Sequence, residues 1–131
     1  MRPYLVILLT VFVFACDGTS SVDSGTNCPD IARPALIVTP LDGATGEVLR
    51  VSGTASAMEG SFVDSQKNAV PLDPNFYLAY LRAGNYTVTV DVSGYDTWKL
   101  ENVLVQRGVC GVLTLPLAAR LHRSQASVTA P

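Results

Sequence analysis

Strict alternation of apolar and polar residues across positions 86–93 is the feature that most constrains the fold. Apolar side chains at Tyr86, Val88, Val90 and Val92 all face one way, and the polar residues between them face the other. A period of two sustained over this length is typical of a β-strand with one buried face. The Gly94-Tyr95-Asp96 stretch that follows favours a turn, so this strand is predicted to end there.

Further short apolar runs flank this strand on both sides, with Gly, Asp and Asn residues between them that favour tight turns. Strands are predicted at residues 35–41, 47–57, 76–82, 100–106 and 113–121. Residues 58–75 are mixed in composition and are interpreted mainly as a loop, with one short strand at 61–64. Pro116 has no backbone N–H, which predicts an edge position or a bulge for the last strand.

About seven short strands separated by turns predict a single all-β domain, an antiparallel β-sandwich. No stretch has a convincing helical period, which disfavours a parallel sheet built from alternating strands and helices. The domain is predicted to span residues 28–123, with 124–131 as a disordered tail. At 131 residues in total, the chain has the length of one domain.

The first residues have the pattern of an export signal, assigned to 1–15. Arg2 precedes an almost wholly apolar run at 4–15. This run is too short for a membrane-spanning helix, which needs about 20 apolar residues. Its length fits the apolar part of a secretory signal, and the chain is therefore predicted to be exported.

The run ends in Val13-Phe14-Ala15-Cys16, which resembles the lipobox of bacterial lipoproteins. The resemblance implies cleavage before Cys16 and attachment of lipid to it, which would hold the protein at a membrane. Residues 16–27 would then be the lipid anchor and a flexible Gly/Ser/Thr-rich tether. The alternative is ordinary secretion, because Val13-x-Ala15 also suits a general signal peptidase.

Three cysteines are present. With lipid on Cys16, Cys28 and Cys110 remain, and an exported compartment permits a disulfide between them. Such a bridge would tie the entry of the domain to its final strand, and two free thiols are the alternative. No metal site is predicted, since two distant cysteines and the single His122 do not form a ligand set.

Charge and motif content argue against several function classes. Nine basic and eleven acidic residues give a net charge of −2 and are scattered singly, which is no footprint for nucleic acid. The sequence has no G-x-S-x-G motif and no glycine-rich phosphate loop. We therefore predict no catalytic residues and no cofactor.

Several segments resemble carboxypeptidase regulatory-like domains. Residues 40–46 resemble their first hairpin, residues 81–88 (LRAGNYTV) their L-x-x-G-x-Y-x-V strand entry, residues 92–95 the following G-Y turn, and residues 103–117 the closing hairpin. The resemblance implies a prealbumin/transthyretin-like Greek-key sandwich. Such domains are accessory modules in secreted or surface proteins, and the resemblance implies no peptidase activity.

These observations predict a non-enzymatic, lipid-anchored structural or interaction module of the bacterial cell envelope. Its partners would be the membrane and an unknown envelope protein or polysaccharide, met by a sheet edge or by residues 58–75. The first alternative is a carbohydrate-binding module using Trp98 and a Tyr such as Tyr80, although Trp98 is expected to pack against the core. The second is an uncharacterised secreted hydrolase. Tyr86 is expected in the core or as a corner tyrosine whose hydroxyl bonds the backbone.

Overall fold

A computed structural model describes residues 27–68 and 72–125. The predicted domain at 28–123 falls within this part of the chain except for residues 69–71. The predicted export signal, Cys16, and most of the predicted tether and tail lie outside the described residues.

The described residues form β-strands and no helix, which confirms the predicted all-β class. In particular, they include no helix with the length and apolar character needed to cross a membrane. The strands are β1 Leu36–Asp42, β2 Gly53–Glu59, β3 Phe62–Lys67, β4 Phe76–Leu78, β5 Gly84–Val92, β6 Trp98–Val105, β7 Arg107–Gly108, β8 Gly111–Val112 and β9 Leu115–Leu121.

Seven of these strands form two sheets, and β7 and β8 pair as a short separate hairpin. One sheet has the order β4-β1-β9 and the other β3-β2-β5-β6. Every pair is antiparallel except β1 and β9, which run parallel from Leu36 opposite Leu115 to Asp42 opposite Leu121. The purely antiparallel prediction is wrong for this pair. Parallel neighbours need a long crossover, and here the entire four-stranded sheet lies between them in the chain.

One apolar core fills the space between the two sheets. The side chains that β5 was predicted to bury, Tyr86, Val88, Val90 and Val92, are all buried. They share a cluster with residues of the three-stranded sheet, including Leu36, Val38, Phe76, Leu78 and Leu121. Each sheet thus covers one side of the other, in a sandwich-like arrangement.

Strand directions define two ends of the sandwich, which we call the entry end and the far end. The entry end holds residues 27–35, where the backbone N–H of Leu115 bonds Ala35 O at 2.8 Å and that of Leu81 bonds Arg33 O at 2.9 Å. The turns after β2 and β4 and the β7–β8 hairpin also lie there. The far end holds the turns after β1 and β5 and the end of β9.

Side chains of β3 join the two sheets along one side. Gln66 Oε1 accepts a 2.5 Å hydrogen bond from the backbone N–H of Tyr77, and Asp64 Oδ2 accepts one of 2.6 Å from that of Ala79. One of these amides lies within β4 and the other directly after it. Polar side chains of one sheet therefore cap backbone donors of the other.

This arrangement bears on residues 58–75, which were predicted mainly as a loop. The short strand predicted at 61–64 is present but longer, and the strand before it also runs into the predicted loop. β2 continues to Glu59 and β3 runs from 62 to 67. β3 does alternate, but its partly buried positions are Phe62, Asp64 and Gln66, of which two are polar. Apolar periodicity therefore indicates only part of a strand whose inward-facing side chains are hydrogen-bond acceptors.

β2 and β4 differ most from their predicted bounds. β2 begins at Gly53 rather than at 47, because residues 47–49 turn back along the end of β1, where the N–H of Leu49 bonds Pro40 O at 2.9 Å. β4 ends at Leu78 rather than at 82. Ala79 and Leu81 have φ angles of 54° and 59°, which a strand does not tolerate.

Candidate interaction surface

The predicted disulfide is present and lies at the entry end. Cys28 and Cys110 are joined with a Cα–Cα distance of 5.1 Å. Cys110 is in the turn of the β7–β8 hairpin, so the bridge fastens the segment before β1 to that hairpin. The covalent link spans a sequence separation of 82 and encloses nearly all of the described fold.

The two candidate ligand-contact residues lie on opposite sides of the sandwich. Trp98 is the first residue of β6, at one edge of the four-stranded sheet, and is partly buried against the core. Tyr80 follows β4, which meets β3 at the other edge, and is half exposed. The fold therefore does not bring Trp98 and Tyr80 together into one stacking platform.

Tyr86 has both of its expected features. Its side chain is fully buried, with its ring centroid 6.1 Å from that of Phe62. Its hydroxyl donates a 2.7 Å hydrogen bond to the backbone oxygen of Arg82, four residues earlier. Burial raises the pKa of this phenol. The residue thus anchors the turn between β4 and β5 to the core, as a corner tyrosine does.

Asp42 is the one buried charged residue among those described, and it organises the far end. Its Oδ1 accepts hydrogen bonds from the backbone N–H groups of Ala44 and Thr45 at 2.8 and 3.2 Å. Its Oδ2 accepts one from the Tyr95 hydroxyl at 3.0 Å and lies 3.3 Å from Arg123 Nη2. These donors, the backbone amides foremost, hold the pKa of Asp42 below its ordinary value.

The lowered pKa of Asp42 predicts that the folded domain loses part of its stability in acid. Its stabilising contribution is fully present above the unfolded-state pKa, near 3.8, and is lost as the pH falls through the lower folded-state pKa. We expect Asp42→Asn to be less stable at neutral pH and to lose less stability below pH 3.8 than the parent does. Urea unfolding across this range measures both. Glu47→Gln, which removes an exposed acid in the same turn, is the control. If the unfolding free energy of Asp42→Asn fell as steeply with decreasing pH as that of the parent, the prediction would be contradicted.

Six of the large exposed apolar side chains lie at the entry end, and we call this set the entry surface. Its members come from the segment before β1, the turn after β4, the end of β6, the β7–β8 hairpin and the link between β8 and β9. They are Ile31, Tyr80, Leu81, Leu104, Val109 and Leu113. Val109, at the hairpin tip beside the disulfide, is 84% exposed.

Basic residues stand among these apolar ones. Arg33 and Arg107 are exposed in the segment before β1 and in the hairpin. Arg82 lies 4.3 Å over the ring of Phe62 and forms a 2.8 Å ion pair with Glu59. The backbone N–H of Asn85, and then Arg82, keep the pKa of Glu59 low. The entry surface therefore combines apolar tips with guanidinium groups.

The free sheet edges, by contrast, are poorly suited to pairing with another strand. β6 has a bulge opposite Thr87, where Asn102 takes a φ of 58°. The other sheet ends in β9, where Pro116 occupies the predicted edge position. Bulges and prolines are devices that discourage edge-to-edge pairing. A docking site formed by strand addition is thus disfavoured here.

The sequence matches no known protein family and no curated protein. Residues 27–68 and 72–125 contain no pocket and no group of three or more His, Cys, Asp or Glu side chains placed to hold a metal ion. The entry surface was not predicted from the sequence. Tyr80 alone among its members was a predicted contact residue. The members come from five separate segments, and only the fold brings them to one end.

Proposed function

We propose that this protein is a non-enzymatic, lipid-anchored module of the bacterial cell envelope that acts by contact through its entry surface. The observation that carries the proposal is the gathering of exposed large apolar side chains at one end of the sandwich. Single exposed apolar residues need no explanation, but several large ones presented at the same end of a fold fit a site of interaction with a protein or a membrane. The Arg side chains among them add charge recognition.

The disulfide supports the exported location. Bridges such as Cys28–Cys110 form and persist in oxidising compartments and are rare in the cytosol. Export is also what the apolar run at 4–15 indicates, and Cys16 directly follows that run. The protein is then held at a membrane by lipid on Cys16, with the β-domain outside the bilayer.

We further propose that the domain is a prealbumin-like Greek-key sandwich of the carboxypeptidase regulatory-like kind. Support comes from the three-stranded and four-stranded sheets around one core. It also comes from the place of Tyr86, whose hydroxyl bonds the turn in the L-x-x-G-x-Y-x-V segment. In this proposal the fold is a stable support that presents its end loops for contact.

Intact mass of the full-length protein from the bacterial membrane fraction tests the anchoring. We expect a chain that starts at Cys16 and carries acyl chains, with Cys28 and Cys110 resistant to alkylation until reduction. The Cys16→Ser variant should leave the membrane fraction while keeping the disulfide. Unacylated wild-type protein in the medium would instead establish ordinary secretion and overturn the anchored function.

Photo-crosslinking in intact cells tests the contact itself. A photoreactive residue in place of Val109 should give adducts with an envelope component. The same residue in place of Val48, which is exposed at the far end, is the matched control. Equal or absent crosslinking at the two positions would contradict a contact role for the entry surface.

A further inference from the structure

We infer that the entry surface rests on the lipid bilayer that holds the anchor, with its apolar tips at the headgroup boundary. The inference builds on the proposed lipid anchor and names the partner of the proposed contact site. Three features carry it: where the chain leaves the domain, how the apolar side chains are presented, and which charges accompany them.

The chain leaves the domain at the entry end, beside Val109. Asn27 immediately precedes Cys28, which is bonded to the hairpin that carries Val109 at its tip. Cys16 lies eleven positions before Asn27, so the connecting chain reaches at most about 40 Å. The far end lies about 23 Å beyond the entry end along the seven residues of β1. A lipid on Cys16 therefore attaches the domain through its entry end and keeps that end nearer to the anchor.

The apolar residues project from separate segments and do not line a groove. Val109 stands at a hairpin tip, Leu81 in a turn, and Leu113 in the link between two strands. A protein partner needs a shape-matched area of about 800 Å² on each side. A fluid bilayer has no such requirement and accepts scattered apolar tips. This presentation favours lipid as the occupant.

The accompanying side chains suit the membrane interface. Arg33 and Arg107 are exposed at this end, together with one exposed acid, Asp30, and Arg side chains near a membrane surface are attracted to anionic lipid headgroups. Tyr80 is half exposed beside Leu81, and tyrosine is enriched where apolar and aqueous layers meet. The apolar tips and the charges together match the boundary of a phospholipid layer.

Tryptophan quenching by brominated lipid tests the inference on the acylated full-length protein. Trp98 is the only Trp in the chain and lies toward the far end. The Val109→Trp, Trp98→Phe variant reports on the entry surface, and the Val48→Trp, Trp98→Phe variant is the matched far-end control. Each is reconstituted in vesicles of phosphatidylethanolamine and phosphatidylglycerol whose acyl chains are brominated.

We expect strong loss of fluorescence for the reporter at position 109 and little for the one at position 48 or for native Trp98. Equal quenching at positions 109 and 48 would overturn the inference. Intact mass of the same samples distinguishes failure of the proposed function from failure of this inference. Protein without acyl chains contradicts the proposed function, whereas acylated protein without selective quenching contradicts only the bilayer contact. Exclusive crosslinking of position 109 to a protein in cells would also overturn the bilayer contact while leaving the contact role intact.

Discussion

Replacing both Cys28 and Cys110 with serine is expected to lower the free energy of unfolding by about 4–5 kcal/mol. The bridge closes a loop with a sequence separation of 82, and a cross-link of that length removes much of the freedom of the unfolded chain. A domain of this size has a total stability of about 5–15 kcal/mol. The variant should therefore be close to its unfolding threshold.

Urea unfolding of the parent with and without reductant, beside the double variant, measures this effect. The reduced parent and the double variant should unfold at the same urea concentration, well below the oxidised parent. Cys16→Ser is the control, because the chain keeps its bridge. A double variant within about 1 kcal/mol of the oxidised parent would show that the unfolded chain is already compact without the bridge.

Truncation of Tyr86 is expected to cause the second large loss of stability. Tyr86→Ala is expected to lower the free energy of unfolding by about 3–5 kcal/mol, the usual loss when a buried aromatic side chain leaves a cavity. Tyr86 is fully buried and packs on Phe62. Its removal also leaves the backbone oxygen of Arg82 without its hydroxyl donor.

Tyr86→Phe separates the hydrogen bond from the packing. This variant keeps the ring and should lose only about 1 kcal/mol, the typical net contribution of one hydrogen bond. Tyr80→Ala is the matched control, since that Tyr is half exposed and its loss should stay within about 0.5 kcal/mol. If Tyr86→Phe lost as much as Tyr86→Ala, the corner hydrogen bond would be the larger contribution and the packing argument would be wrong.

The sequence predicted those elements in which apolar burial alone sets the pattern. β5 was found because every second side chain from Tyr86 to Val92 enters the core, and the edge position of β9 because Pro116 lacks an N–H. β3 was predicted only as a short strand at 61–64, because Asp64 and Gln66 occupy inward positions as hydrogen-bond acceptors. Local apolar patterns carry no information about a backbone amide that arrives from a distant strand.

The surface features depend on contacts between distant parts of the chain. Asp42 was recognisable as a turn residue, but its partners Tyr95 and Arg123 are 53 and 81 positions away. The entry surface likewise exists only once the segment before β1, the turn after β4 and the hairpin meet. The disulfide was predictable for another reason: with Cys16 assigned to lipid, only one pairing of the other cysteines remained.

The disulfide and the parallel placement of β9 set the mechanical behaviour of the domain. Tension applied between residue 27 and residue 125 passes from Cys28 directly to Cys110 and then along β9. This shortest covalent route avoids the polypeptide between the two cysteines, and β9 is already extended along it. An oxidised domain pulled between these points therefore transmits force with little lengthening and keeps its core. After reduction the same pull enters β1, and the β1–β9 hydrogen bonds bear it in shear.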